Sequence, residues 1–292
     1  MHRIYFLIYL ILLGKLIFAQ YSEDFVSTSA VNIGNEQYSV VKMSRQDKRV
    51  KVKYFAAKDY NGTPVYTRYQ EWARSKNVIA LSSGTYMTSC DASSAKPVGL
   101  CIDNGSVVNQ SIETTKLDGL AIVYPAGGGG GMVVSNMKDC DLTVNVNGTN
   151  TTLCLKNSWD FSTFLSWAKD NQATVFQTHL FVYKNSLKVG GNGSPAVRGR
   201  RFLAVGKDDE GNIMHYIVNL SGANTVYDAS VKVKKYLNDR ERLDITFMIN
   251  LDTGCQNVFQ VYQPNGRIDS RTGFSGTESL TQATNLVVYY YE

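Results

Sequence analysis

The sequence predicts an α+β fold: mainly antiparallel β-sheets with about three helices packed against them, in a single domain over residues 21–292. Three observations carry that expectation. The chain has 18 Tyr and 24 Gly in 292 residues, which favours strands and tight turns over a helical bundle. Stretches of strand length, apolar or alternating, recur between turn residues. Helical 3–4 spacing occurs in three separated stretches, set among runs of strands. No internal repeat or low-complexity linker marks a domain boundary.

The elements follow in chain order. His2 and Arg3 precede the apolar run Ile4 to Leu13; Gly14 and Lys15 break it, and Ile17-Phe18-Ala19-Gln20 follows. This is the form of a secretory signal, residues 1–19, and the run is too short for a membrane span, which needs about 20 residues. The expected mature chain is secreted or periplasmic, with no membrane span after cleavage. Residues 37–56 alternate well enough to be two strands of a hairpin. Residues 66–76 fit a short helix with Tyr69, Trp72 and Ala73 on one face. Asn77 to Leu81 is a buried strand running into the small-residue turn Ser82-Ser83-Gly84-Thr85-Tyr86. Leu100 to Ile102, then Asp103-Asn104-Gly105, then Ser106 to Val108 signals a hairpin with a primed turn.

Leu120 to Tyr124 is an apolar strand, followed by five glycines, Gly127 to Gly131. Residues 158–170 form the clearest helix, with Asp160 as expected N-cap and Phe161, Phe164, Leu165 and Ala168 at 3–4 spacing. Strands are expected at Val175 to Tyr183, Arg201 to Lys207 and Ile213 to Leu220. The third helix is 228–238, capped by Asp228. Ile245 to Asn250, Val258 to Tyr262 and Asn285 to Tyr291 complete the strands.

Composition excludes several classes. Hydrophobic residues at 43% and charged residues at 19% rule out a disordered tail, a collagen-like repeat and a coiled coil. Five Cys are too dilute for a disulfide scaffold. Two local bridges are expected, Cys90 with Cys101 and Cys140 with Cys154, leaving Cys255 free or available to another chain. Losing the leader removes Arg3 and Lys15 and no acid, leaving 28 basic against 25 acidic side chains, net +3. That charge gives no case for a nucleic-acid partner. The stretch Arg45 to Lys53 alternates Lys with Val and reads as a solvated strand face.

No metal site and no cofactor are expected: the mature chain has only His179 and His215, with no C-x-x-C and no H-E-x-x-H. A G-x-S-x-G elbow is absent, and no Lys-Ser/Thr follows the five glycines, so neither an α/β-hydrolase nor a P-loop is indicated.

Three segments share a form, a buried strand bordered by small or polar residues. They are Val78 to Leu81 before Ser82-Ser83-Gly84, Arg198-Gly199-Arg200-Arg201 before Phe202 to Gly206, and Phe247 to Leu251 before Asp252-Thr253-Gly254. A carboxylate just past an apolar strand is rigid and partly desolvated, which raises its pKa and suits proton transfer; an Asx-bonded turn is the plainer role for Asp252. Guanidinium forks grip phosphate oxygens bidentately; a solvated loop cluster is the plainer role for the arginines.

The ordered set resembles the phosphodiester glycosidase family over roughly residues 75–291. The carrying residues are Val78 to Tyr86, Pro97-Val98-Gly99-Leu100-Cys101-Ile102-Asp103-Asn104-Gly105, Arg201 to Gly206, Asn250-Leu251-Asp252-Thr253-Gly254 after a helix, and the terminal strand Asn285 to Val288. The resemblance implies an exported hydrolase splitting a sugar from a sugar-1-phosphodiester. It implies a carbohydrate or sugar-phosphodiester partner, Asp252 as acid/base or electrostatic residue, and Arg201 as phosphate clamp, with Arg198 in the same cluster. Ser82 and Gly84 would shape the sugar pocket, Asn250 would orient Asp252, and Gly254 persists from the family pattern. His179 is a weaker candidate, with a satisfied core histidine as its plainer role. The chain departs from the family at Ser82, where the family has Asn, and at Cys255-Gln256-Asn257, where it has a Gly-Ser-Ser tail. Those departures leave a catalytically inactive glycan- or phosphodiester-binding module as the alternative.

Overall fold

The computed structural model describes residues 25–57, 65–90, 95–125, 127, 129–191, 196–254, 256–268 and 278–292. The expected leader, residues 1–19, lies outside them, as do residues 21–24 and Cys255.

Three antiparallel sheets share one apolar core. The seven-stranded sheet runs β1 (Val26–Ile33), β2 (Glu36–Ser44), β15 (Ile213–Asn224), β14 (Arg198–Lys207), β16 (Asp244–Leu251), β12 (Leu180–Tyr183), β13 (Ser186–Leu187). The five-stranded sheet runs β6 (Ser106–Asn109), β5 (Cys101–Asp103), β11 (Thr174–Thr178), β7 (Gly119–Val123), β8 (Met132–Asn136). The four-stranded sheet runs β17 (Phe259–Val261), β4 (Asn77–Ser83), β18 (Asn285–Tyr291), β3 (Val50–Ala56). A separate hairpin pairs β9 (Leu142–Val146) with β10 (Thr149–Leu153).

Each sheet turns one face to the central core and carries a helix on the other. The central cluster draws Leu203, Ile217 and Leu251 from the first sheet, Ala121 and Phe176 from the second, and Tyr54, Phe259 and Tyr289 from the third. Outside the seven-stranded sheet, α3 (Val226–Asp239) packs Ala229, Val233 and Leu237 on Phe202 and Val218. Outside the five-stranded sheet, α2 (Ser158–Asp170) packs Phe164, Trp167 and Ala168 on Leu120, Ile122 and Val175. Outside the four-stranded sheet, α1 (Val65–Ala73) packs Val65 and Tyr69 on Leu286 and Val288, with the single turn α4 (Glu278–Thr281) contributing Leu280. Burial on both faces is why β7, β16 and β18 read as continuous apolar runs instead of alternating ones. The architecture is the expected α+β class. Among the described residues, no helix is long and apolar enough to cross a membrane.

Several local expectations are corrected. Residues 37–56 do form two strands, but not a hairpin: β2 pairs with β1 and β15, while β3 pairs with β18. The intervening turn is tied elsewhere, because the Asp47 carboxylate accepts from the Arg49 side chain and from the Tyr291 hydroxyl on β18. The expected strand Val175 to Tyr183 is two strands in two sheets. The chain changes sheets at His179, whose carbonyl accepts from Asn250 N while Leu180 N donates to the Asp118 carboxylate at 3.1 Å. Both caps lie three residues earlier than the expected acids: Asn157 caps α2 and Thr225 caps α3 through their side chains. Asp160 instead accepts from Cys154 N.

Cys140–Cys154 is bridged as expected. Cys90 is also in a disulfide, but Cys101 is a free thiol buried beneath Tyr54, so the Cys90–Cys101 pairing is wrong. Its physical reason is that Cys101 lies in the central core, on the inward face of β5. The hairpin at 101–109 has its primed turn, with Asn104 and Gly105 at φ 51° and 77°. In the glycine run, the carbonyls of Gly129 and Gly130 accept from Arg45 at 2.6 and 3.2 Å, a polarity opposite to a phosphate cradle.

Candidate functional site

The three sequence segments singled out above meet at one edge of the central core. The end of β16, the start of β14 and the end of β4 are joined by four hydrogen bonds. Asp252 N donates to Gly84 O at 2.8 Å, Thr253 Oγ1 donates to Gly199 O at 2.8 Å, and Arg201 Nη1 donates to Ser82 Oγ at 3.2 Å and to Asp252 O at 3.1 Å. The β-register explains the meeting. Arg201 stands opposite Leu251 across β14 and β16, so the next residue, Asp252, leaves the sheet beside the guanidinium.

Asp252 is 5% exposed. Its Oδ1 accepts from Gly254 N at 2.9 Å, so the Asx-type turn is present in the same residue as the buried charge. Burial pushes its carboxyl above the ordinary carboxylate value; the Gly254 N–H and the charges of Arg201 and Arg198 oppose that rise without cancelling it. Gly84 cannot be replaced without movement here. A Cβ on it would lie 2.4 Å from Asn285 Oδ1 and 2.6 Å from the Tyr54 ring.

Arg201 is the largest fully buried side chain. Besides Ser82 and Asp252 O, its guanidinium donates to Asn219 Oδ1 at 2.9 Å, Val258 O at 2.7 Å and Asn257 Oδ1 at 2.6 Å. Nε makes one of these contacts, Nη1 three and Nη2 one, and the group lies 4.7 Å from the Phe259 ring centroid. Burial pulls its pKa down to about 9 against the pull of Asp252. A phosphate clamp must present its donors to a ligand, whereas Arg201 is 1% exposed and directs its guanidinium at five protein oxygens; its place is that of a strut that sets the Ser82, Asp252 and Asn257–Val258 segments. Arg198 differs. It is exposed, makes no side-chain hydrogen bond or ion pair among the described residues, and its charge reaches both Asp252 and Tyr86. Arg200 is buried, donating to Asn224 O at 3.1 Å and Ala196 O at 2.7 Å.

Ser82 is buried and donates to Ser83 O at 2.8 Å while accepting from Arg201. Asn250 is held by its backbone to His179 O at 2.9 Å, and its buried side-chain Nδ2 has no partner among the described residues. His179 is half-buried rather than a core residue. Its ring lies 4.8 Å from Phe181 and lines a cavity of about 440 Å³ with Asp118, Lys138, Gly190 and Tyr227. Burial lowers its pKa, opposed mainly by Asp118. The link between this cavity wall and the Asp252 segment is the backbone bond from Asn250 N to His179 O.

Two members escaped the sequence reading as site residues. Tyr86 ends the small-residue turn, and its phenol is pushed up to about 12 by burial and by the Asp252 charge, with Arg200 and Arg198 pulling the other way. Arg200 was overshadowed by Arg201, although alternation along β14 puts the two on opposite faces. Among the described residues, no group of three or more His, Cys, Asp or Glu side chains is placed to hold a metal ion.

No family model matches the chain, and no curated protein does. Solved structures do. A hypothetical protein from Synechocystis is 11% identical, with a TM-score of 0.50 over 91% of this chain and 62% of that one; this chain thus spans under two thirds of it. The catalytic domain of zebrafish N-acetylglucosamine-1-phosphodiester α-N-acetylglucosaminidase, auto-inhibited by its pro-peptide, is 13% identical, with a TM-score of 0.47 over 92% of this chain and 82% of that one. A protein of Burkholderia pseudomallei assigned as exported is 11% identical, with a TM-score of 0.45 over 88% and 74%. At these identities the likeness concerns the fold alone.

Proposed function

We propose that the chain is an exported hydrolase that cleaves a sugar-1-phosphodiester between the anomeric carbon and the bridging oxygen. The observation that carries this reading is the convergence of residues 82–86, 198–201 and 250–254 around one buried carboxylate, Asp252. Water attacks the anomeric carbon as the C1–O bond breaks. The bond's electron pair leaves with the phosphate, and the water's proton ends on the resulting phosphomonoester. That phosphate is a good leaving group, so the site's main task is to stabilise positive charge at C1 and to orient the water. Asp252 is the group suited to both, a desolvated carboxylate held by Gly254 N. Arg198 replaces Arg201 as the phosphate contact, because its guanidinium is exposed and uncommitted, and Arg201 acts through Asp252 as a positioning residue. Ser82, Gly84 and Gly254 shape the floor. His179 lines the neighbouring cavity, and Asn250 is tied to it through the bond from Asn250 N to His179 O.

One observation favours the alternative of a binding module without turnover. Where the family pattern has small residues, Gln256 and Asn257 fill the space and spend their side chains internally, Gln256 on Thr284 N and Gln282 O, Asn257 on Arg201. A chromogenic sugar-1-phosphodiester separates the two. Turnover that is lost in Asp252→Asn and weakened through KM in Arg198→Ala supports the hydrolase. Saturable binding without turnover supports the module.

A further inference from the structure

The β9–β10 hairpin and the outer side of α2 enclose a second groove, of about 360 Å³, that shares no residue with the Asp252 cluster. We propose that this groove binds a neutral oligosaccharide. Its volume falls within the roughly 300–1,000 Å³ of small-ligand sites. One wall is Trp159, 77% exposed and the most exposed of the large apolar side chains. The other two Trp are packed: Trp167 is 7% exposed and Trp72 stacks edge-on with Phe55 and Tyr290. The facing walls are amides and hydroxyls, among them Asn145, Asn147, Ser162, Ser166 and Asn171.

These groups both donate and accept hydrogen bonds, as sugar hydroxyls do. An indole face matches the apolar C–H face of a pyranose ring, leaving the ring's hydroxyls to the amide walls. No Lys or Arg lines the groove and Asp170 is its one acid, so an anionic ligand finds no counter-charge there. The walls are also pre-set. The hairpin turn Asn147-Gly148 holds both residues at positive φ, 51° and 85°, and the Cys140–Cys154 bridge ties the hairpin base to the segment that ends in the α2 cap, Asn157. A rigid site loses less entropy on binding.

The test uses the mature chain made in a host that adds no N-glycans, because Asn147 and Asn150 lie in N-x-T sequons at the groove. Chitotriose, cellotriose and mannotriose are titrated against tryptophan emission and the indole N–H resonances. At least one sugar is expected to saturate the Trp159 signal with a dissociation constant of about 1 mM or tighter. Trp159→Ala should weaken that binding at least tenfold with an unchanged melting temperature, and Asp252→Asn should bind as the native chain does. No binding by any of the three sugars up to about 10 mM would overturn the proposal. So would equal binding by Trp159→Ala, or light scattering that shows a dimer which Trp159→Ala dissolves, since the face would then belong to a second copy of the chain.

Discussion

Replacing Arg201 by Met tests whether this arginine is a strut. The substitution keeps most of the side-chain volume and removes all five N–H donors. It strands the carbonyl of Asp252 and the side-chain oxygen of Asn219, while Val258 O keeps its bond from Ser83 N and Ser82 keeps its bond to Ser83 O. Each buried acceptor left unmade costs about 1–3 kcal/mol. The buried Asp252 charge also loses its neighbouring cation. Against this stands the gain from no longer holding a guanidinium whose pKa burial has pulled to about 9. Breaking a buried charged network typically costs about 3–5 kcal/mol net, and the lower end, about 3 kcal/mol, is expected here. For a chain of this size that is roughly 2 °C per kcal/mol, a fall of about 6 °C in Tm. Thermal unfolding followed by circular dichroism reads it. Arg198→Met, at an exposed position, should move Tm by no more than about 1 °C, within the ordinary range of surface changes. A fall below about 2 °C for Arg201→Met, or a larger fall for Arg198→Met, would refute the strut.

Three further predictions follow from the same region and its surroundings. Gly84→Ala places a Cβ against Asn285 and Tyr54 and should cost about 1–3 kcal/mol by overpacking, seen as a lower Tm; an unchanged Tm would mean that the turn relaxes freely. Asp252 has a raised folded-state pKa, so its protonated form favours the fold, and that contribution is lost as pH rises through the folded pKa. Asp252→Asn should therefore melt higher than the native chain at neutral pH, with the gap closing as pH falls below the unfolded carboxylate range. Glu113 behaves oppositely. Burial would raise its pKa, but the Thr115 hydroxyl and the N–H groups of Lys116, Leu117 and Thr115 together hold it at about 2, against an ordinary 4.5. Its stabilisation is present above 4.5 and is lost as pH falls through about 2, so Glu113→Gln should lower Tm at neutral pH and not at pH 2.

The strands that sequence displays best are those buried on both sides. β16 and β18 are apolar over most of their length because each lies between the central core and an outer layer. The same property hid the corner at His179. Thr174 to Tyr183 is apolar or small almost throughout, and nothing in it marks where one sheet ends and the next begins except long-range bonds to Asp118 and Asn250. β1 and the β9–β10 hairpin were illegible for the opposite reason: their Ser, Thr and Asn side chains are half-exposed and mimic loop composition. Asp252 was visible as an acid at the end of an apolar run, and the three loops did converge on it. The role of Arg201 was not visible, because its partners come from β4, β15, the turn after β16 and the approach to β17, and only the folded chain shows the guanidinium buried against five protein oxygens. Cysteine pairing failed where proximity in sequence was the guide. Cys101 stands close to Cys90 along the chain, yet it faces the core.

The central claim is that Asp252 serves hydrolysis at the anomeric carbon, and turnover of a sugar-1-phosphodiester in ¹⁸O-enriched water, followed by ³¹P resonance, tests it most directly. The account predicts conversion of the diester to a phosphomonoester whose phosphorus shows no isotope shift, with the reaction absent in Asp252→Asn. An ¹⁸O-shifted phosphorus signal, which marks cleavage at phosphorus, or turnover undiminished in Asp252→Asn, would contradict it.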